Sequence, residues 1–434
     1  MEFQKRSDGV SKAGFVYPLM SFSNPWFLAA LTGIVGWFHL KLAADFLNLS
    51  RLGQTLPESL KGLMSDEERA LAAEYHVATT KLDVWEDAVR LGLMIAFWCF
   101  GGFGWLDGIV MSIGLGSIGS GLVLISVVAL LGMMVSLPFE AWSTFKIEAA
   151  FGFNKTTAGT FIADLVKSLL LVALLGLPLL ALVLWLFETT RWAAALAWLT
   201  VALFGLLMTW IAPRFLMPLF LKFTPMPDSD LRRAIMALAE KLAFPVAGIF
   251  TVDGSRRSKK ANAFFAGFGK TRRIALFDTL LEGHTQEEIV AVLAHEIGHA
   301  KLGHVPKLIG ADLLQSALMF GLLHYAVHDE RLFAAFGLMY PSTAMGLVLF
   351  SIVYGAWSKV LDPLFSALSR KHEFEADAFA RESVGSPQPL MTALKKLSKD
   401  HLAHLTPHPL YVWLHYSHPP VGERLEMLSQ SRTQ

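Results

Sequence analysis

Seven apolar runs of about 20 residues divide the chain, at about 26–47, 91–111, 117–136, 164–187, 191–212, 306–328 and 343–365. A helix of that length crosses the hydrocarbon core of a bilayer, so each run predicts a membrane span. The third is broken at its start by Gly114, Gly116 and Gly119. Asp45, Asp164, Asp312, Gln315 and His324 lie within these runs. Such side chains are costly in lipid, which predicts faces turned to a protein interior or a hydrated cavity. Lys41 and Lys359 suit span ends that snorkel to the interface. The first run is long and follows a polar start, so it reads as a span and not a cleaved leader.

The pattern divides the chain into a membrane region 1–212 with five spans, a polar block 213–305, spans six and seven over 306–365, and a polar tail 366–434. In the block, apolar periodicity predicts a helix over Asp228–Leu242, then β-rich segments at Gly248–Val252, Asn262–Ala266 and Arg273–Phe277. Gly267-Phe268-Gly269 between the last two predicts a hairpin. A further helix starts at Thr285, an N-cap that forms a capping box with Glu288, and carries Ile289, Val292 and Leu293 on one stripe before Gly303 ends it. The tail predicts helices through Glu373–Arg381 and around Pro387–Asp400, then a His- and Pro-rich end. The fold class expected is an all-α, multi-span membrane protein with a small α+β domain.

Composition agrees with this division. Of 434 residues, 54% are hydrophobic and only 17% charged, too few charges to cover a soluble protein of this size. A net charge of +1 supplies no field for nucleic acid, so a nucleic-acid partner is not expected. Cys99 is the only cysteine, which excludes an intramolecular disulfide and a cysteine-based zinc site.

Lys and Arg predict the topology. The 213–305 block is rich in them, including Arg214, Arg256, Lys260 and Arg273, and the 48–90 loop carries Arg51, Lys61, Arg69, Lys81 and Arg90. The alternate loops 112–116 and 188–190 carry none, and 329–342 has only Arg331. Both polar pieces are therefore expected on the cytoplasmic side, against the weak contrary vote of Lys5, Arg6 and Lys12. The run Arg256-Arg257-Ser258-Lys259-Lys260 reads mainly as a solvated loop that sets topology, with contact to anionic headgroups or acidic substrate as the alternative.

His295-Glu296-Ile297-Gly298-His299 carries the chemistry. Residues i and i+4 share a helix face, so both imidazoles can reach one ion while Glu296 stands beside the open position as a base. A chance match in a buried helix is the plain alternative. Catalytic zinc needs a third protein ligand and an open site. Glu373 can supply that ligand from a later helix; Asp377, four residues on, shares its face and can hold a ligating imidazole from behind. Glu375 points to another face. His401, His404, His408 and His415 crowd the tail without the spacing of a ligand set.

Many ordered segments resemble the integral-membrane CAAX prenyl endopeptidase family, with the bacterial HtpX-like proteases as more distant relatives. They are Leu137-Pro138, Thr144-Phe145, Phe151-Gly152-Phe153-Asn154-Lys155-Thr156-Thr157, Pro218-Leu219-Phe220, Asp253-Gly254-Ser255, Asn262-Ala263-Phe264-Phe265 and Phe277-Asp278-Thr279-Leu280-Leu281. Ser369-Arg370 with Glu373 and Ala376-Asp377, and His415-Tyr416-Ser417-His418-Pro419-Pro420, complete the series. The resemblance implies a barrel of seven spans around a hydrated chamber and a gluzincin-type zinc domain. It implies one zinc ion per chain on His295, His299 and Glu373, with Glu296 as general base. Asn262, Ala263 and Phe264 would form the strand that receives substrate, and His418 would polarise the scissile carbonyl.

The function expected is hydrolysis of peptide or protein substrates, prenylated C-termini among the candidates, in a lipid bilayer. Compact loops and no recognisable retention tail suit a bacterial inner membrane. A membrane quality-control protease shares the same chemistry. A transporter or scaffold with structural zinc would fill all four ligand positions with protein and leave Glu296 without a task. The oligomeric state is not encoded in any of these features.

Overall fold

The computed structural model describes residues 22–267, 269 and 272–430. Lys5, Arg6 and Lys12, and Phe268 in the expected hairpin turn, lie outside the described residues.

Among the described residues, five helices are long and apolar enough to cross a membrane: Pro25–Leu49, Gly116–Glu148, Ala158–Thr189, Ala193–Leu219 and His304–Ala326. Two bent pairs bring the total to seven. Asp66–Cys99 turns by 69° into Gly102–Ser112, and Thr343–Ser358 turns by 52° into Asp362–Val384. The apolar run expected as one span at 91–111 therefore straddles a break, where Gly101 adopts φ 71°. Hydropathy averages across such a bend and cannot see it. The last bend has a consequence for chemistry, because the helix below it carries Glu373.

Each span packs against the next in chain order, and Thr343–Ser358 packs back on Pro25–Leu49, closing a ring. Only 6% of the Gly116–Glu148 window is buried, as a single-layer wall with two open faces requires. An aromatic cluster fills the end away from the polar block: Trp98 stacks on Phe336 at 4.6 Å and donates its Nε1–H to Ala335 O at 2.9 Å.

The polar block forms a four-stranded sheet in the order β1-β2-β4-β3, with β1 Phe223–Pro225, β2 Gly248–Val252, β3 Ala263–Ala266 and β4 Arg273–Phe277. β2 and β4 are parallel, while β3 returns antiparallel on β4, the pairing expected of the hairpin. β3 is an edge strand. Ile249, Ile274 and Leu276 from the sheet meet Ile289, Leu293 and Ile297 from helix Gln286–Lys301 in a common core with Leu390 and Leu425 of the tail. The tail also forms two short helices, Pro409–His415 and Val421–Ser429, which the His- and Pro-rich pattern does not predict.

The basic run 256–260 is solvated only in part: Arg256 and Lys259 are exposed, while Arg257 and Lys260 are tied down. Arg257 donates from Nε and Nη2 to Asp164 Oδ2 at 3.1 and 2.8 Å, and Lys260 Nζ reaches Glu148 Oε1 at 3.2 Å and lies 4.6 Å from the Phe153 ring centroid. Lys155 N–H bonds Arg257 O and Lys259 N–H bonds Phe153 O. These contacts tie the sheet domain to the polar ends of the membrane helices, and they give Asp164 a partner beside Lys167, whose Nζ lies 3.3 Å from its Oδ1.

Candidate metal centre

Helix Gln286–Lys301 begins with both halves of its capping box: Glu288 N–H donates to Thr285 Oγ1, and Thr285 N–H to Glu288 Oε2 at 3.0 Å. One turn apart near its end, His295 and His299 bring their Nε2 atoms within 3.1 Å of each other. Helix Asp362–Val384 crosses them closely. A Cβ at Gly298 would stand 3.1 Å from Phe379 and 3.3 Å from Ala376 Cα, so any larger residue would push the two helices apart by a few tenths of an ångström. The approach delivers Glu373, whose oxygens lie 3.5 Å from His295 Nε2 and 3.3 Å from His299 Nε2.

These three groups fit a zinc ion. Ligands about 2.0–2.1 Å from a tetrahedral centre stand about 3.3 Å apart, near the separations seen. Two imidazole lone pairs facing each other beside a carboxylate call for a cation between them. Glu373 Oε2 is buried and accepts no hydrogen bond, although Arg424 Nη1 lies 3.3 Å away. The two-nitrogen, one-oxygen donor set suits zinc and leaves a fourth position open.

Behind the ligands, His295 Nδ1 meets Asp377 Oδ1 at 2.8 Å, and Arg424 grips both oxygens of Asp377. Glu375 points away from the metal position, to His304. In front lies a cleft of about 740 Å³ lined by Glu296, His418, Asn262, Ala263, Val292 and Tyr416 among others. Burial pushes the Glu296 carboxyl above its ordinary 4.5, opposed by the pull of His295 and His299. His418 is largely exposed to the cleft, with Nε2 3.3 Å from Glu373 Oε1 and Nδ1 3.0 Å from Ser417 Oγ. Arg370 fastens this segment by donating to Tyr416 O at 2.6 Å.

Asn262 O accepts from Phe277 N–H, and Asn262 Oδ1 from Ala263 N–H. Antiparallel alternation then turns the backbone of Ala263 and Phe265 to the open edge. Phe264 is not brought to the cleft: its ring packs on Phe223 and Phe277 on the other face of the strand. Among the tail histidines, His404 bonds Asn48 O, His401 accepts from Ala261 N–H and His408 caps Leu410 N–H. Each is a structural tie.

Sequence reasoning missed Arg424 and His304, and it quoted Arg370 in the Ser369-Arg370 motif without giving it a task. His304 left a trace only as a histidine five residues beyond His299 across Gly303.

The chain matches two family models, "CAAX prenyl protease N-terminal, five membrane helices" over residues 45–222 and "Peptidase family M48" over 225–432. It is similar to the CAAX prenyl protease 1 homolog of Arabidopsis thaliana, 36% identical over 384 residues, covering 86% of this chain and 90% of the relative. CAAX prenyl protease 1 of Saccharomyces cerevisiae is 32% identical over 434 residues, with 93% and 95% covered. The crystal structure of S. mikatae Ste24p superposes with a TM-score of 0.88 at 30% identity, covering 94% of this chain and 99% of that one.

Proposed function

Since the chain belongs to peptidase family M48, in its CAAX prenyl protease branch, and is a membrane zinc metallopeptidase of that type, we propose that it cleaves prenylated C-terminal peptides at His295, His299 and Glu373. The observation that carries this reading is the convergence of two Nε2 atoms and a carboxylate on one point, with Glu296 beside it in an open cleft. When bound there, zinc supplies Lewis acidity, lowering the pKa of water to about 7 and polarising the scissile carbonyl. Glu296 takes the proton of the attacking water and passes it to the leaving amine. His418 Nε2–H donates to the carbonyl oxygen as negative charge builds there. The open edge at Ala263 and Phe265, with Asn262 at its cleft end, holds the peptide extended by backbone hydrogen bonds, which reads main chain more than side chains.

Asp377 is the residue that fixes the His295 ring from behind. The Lys and Arg distribution supports a cytoplasmic zinc site, and the compact loops support a bacterial inner membrane. Backbone-directed binding also supports a second reading, a quality-control protease for damaged membrane proteins.

Hydrolysis of a quenched-fluorescent farnesylated CAAX peptide by the purified protein in detergent tests the proposal, with Glu296→Ala and zinc content measured in parallel. Cleavage that disappears in a variant still holding zinc is expected. One bound zinc with this peptide left intact moves the assignment to the quality-control reading, and absence of bound zinc overturns the metal centre.

A further inference from the structure

The second nitrogen of His299 leads to a residue pair outside the ligand set. His299 turns Nε2 to the metal position, so a neutral ring carries its proton on Nδ1. That Nδ1 lies 3.0 Å from Nδ1 of His304. A donor must face an acceptor, so His304 presents its lone pair there and carries its own proton on Nε2. His304 Nε2 in turn lies 2.9 Å from Glu375 Oε2, which accepts it. One tautomer of each ring satisfies both contacts, and the chain of donors ends on a carboxylate.

We propose that His304 and Glu375 are positioning residues for the metal centre: they lock the tautomer and ring plane of His299 and strengthen it as a ligand. The inference rests on the reading of His295, His299 and Glu373 as metal ligands. Together with Asp377 behind His295, it gives each ligating imidazole its own anchored acceptor. The surroundings are built for rigidity. Gly303 at φ 68° reverses the chain so that His304 returns onto His299, and His304 is 1% exposed. Its ring stacks on His372 at 4.0 Å and 8°, a contact that favours this ring plane.

The same three side chains, His304, His372 and Glu375, also place donor atoms within 4.8 Å of one another, as a second metal site would. Tautomer chemistry excludes that while His299 holds a metal. A cation on His304 Nε2 would force the His304 proton to Nδ1, setting N–H against N–H at 3.0 Å. Stacked rings also aim their lone pairs in parallel, not at one point.

The test is zinc retention by the full-length protein in detergent. Zinc equivalents bound, and the rate of zinc release into a chromogenic chelator, are measured for wild type, Glu375→Ala, Glu375→Gln, His304→Phe and His372→Phe. Melting temperatures of the zinc-free forms control for folding. Wild type should bind one equivalent. Glu375→Ala and His304→Phe should release zinc about 10- to 100-fold faster with zinc-free melting unchanged. Glu375→Gln should fall between, because its amide oxygen still accepts, and His372→Phe should stay near wild type because the stack survives. If His304→Phe does not fold, Glu375→Ala decides alone, its side chain being 38% exposed. Wild-type retention in Glu375→Ala overturns the relay and leaves the ligand set standing. A second zinc equivalent lost in His372→Phe overturns it in favour of a second site. Wild type without zinc removes the metal reading itself.

Discussion

Arg424 Nη2 and Nε bind the two oxygens of Asp377 at 2.6 and 2.8 Å, a bidentate pair buried between the last helix and the helix of Glu373. The same guanidinium stands 3.3 Å from Glu373, so it neutralises the carboxylate behind His295 and borders a second member of the proposed ligand set. Removing one member of a buried pair strands the other charge, at about 3–5 kcal/mol. Arg424→Met should therefore lower the melting temperature sharply and weaken zinc retention. Adding Asp377→Asn to it should restore much of the stability and little of the zinc affinity, since the amide is a poorer acceptor for His295. Melting curves and zinc content of the single and double variants check this.

His418 touches Glu373 but leaves most of its ring in the cleft. In the proposed role of carbonyl-polarising donor it would act on the transition state, so His418→Phe should cut kcat by about 10²- to 10³-fold with KM little changed. Zinc content should remain that of wild type. Loss of zinc in this variant would reassign His418 as a ligand.

The Arg257–Asp164 pair joins the sheet domain to helix Ala158–Thr189, with each side chain about three-quarters buried. A partly buried pair with two donors on one carboxylate oxygen should show coupling of about 1–2 kcal/mol in a double-mutant cycle of Arg257→Ala and Asp164→Ala. Thermal or denaturant unfolding in detergent measures it. Additive single effects would mean that the loop merely lies beside the helix.

The residues proposed to hold the metal could be picked out because coordination follows a local rule. Two ligands on one helix sit three or four residues apart, as His295 and His299 do at i and i+4, and a carboxylate with a partner at i+4 marked Glu373 and Asp377. The spans were legible because lipid demands about 20 apolar residues in a row. The bend at Phe100–Gly101 was not, since its apolar flanks read as one run. Arg424 was invisible for a different reason: its partners Asp377 and His295 lie 47 and 129 residues away, and nothing in a short amphipathic helix distinguishes an arginine that turns inward. Arg257 and Lys260 looked like solvent-facing charge because their partners, Asp164 and Glu148, belong to the membrane helices.

His404 makes a prediction about pH. It is buried, donates from Nε2 to Asn48 O at 3.1 Å and accepts from Thr406 N–H at Nδ1 at 3.2 Å. Both ring nitrogens are thus used by the neutral form, and a proton on Nδ1 would meet the Thr406 N–H. Burial lowers its pKa below the ordinary 6.5, the Asn48 carbonyl opposes this, and the nearby Arg51 adds to the lowering; the His76 ring also faces it at 5.4 Å. Well above pH 6.5 this ring is neutral in both folded and unfolded chains, and its contribution to stability does not change with pH. Below 6.5 the unfolded chain takes up a proton that the folded site refuses, so stability falls with falling pH, by at most about 1.4 kcal/mol per unit. The loss continues until the folded pKa is reached. Wild type should therefore melt lower at pH 5.5 than at pH 7.5. His404→Gln offers one donor and one acceptor without titrating, and its melting temperature should fall less over the same interval. An equal fall in both would place the acid sensitivity in other groups.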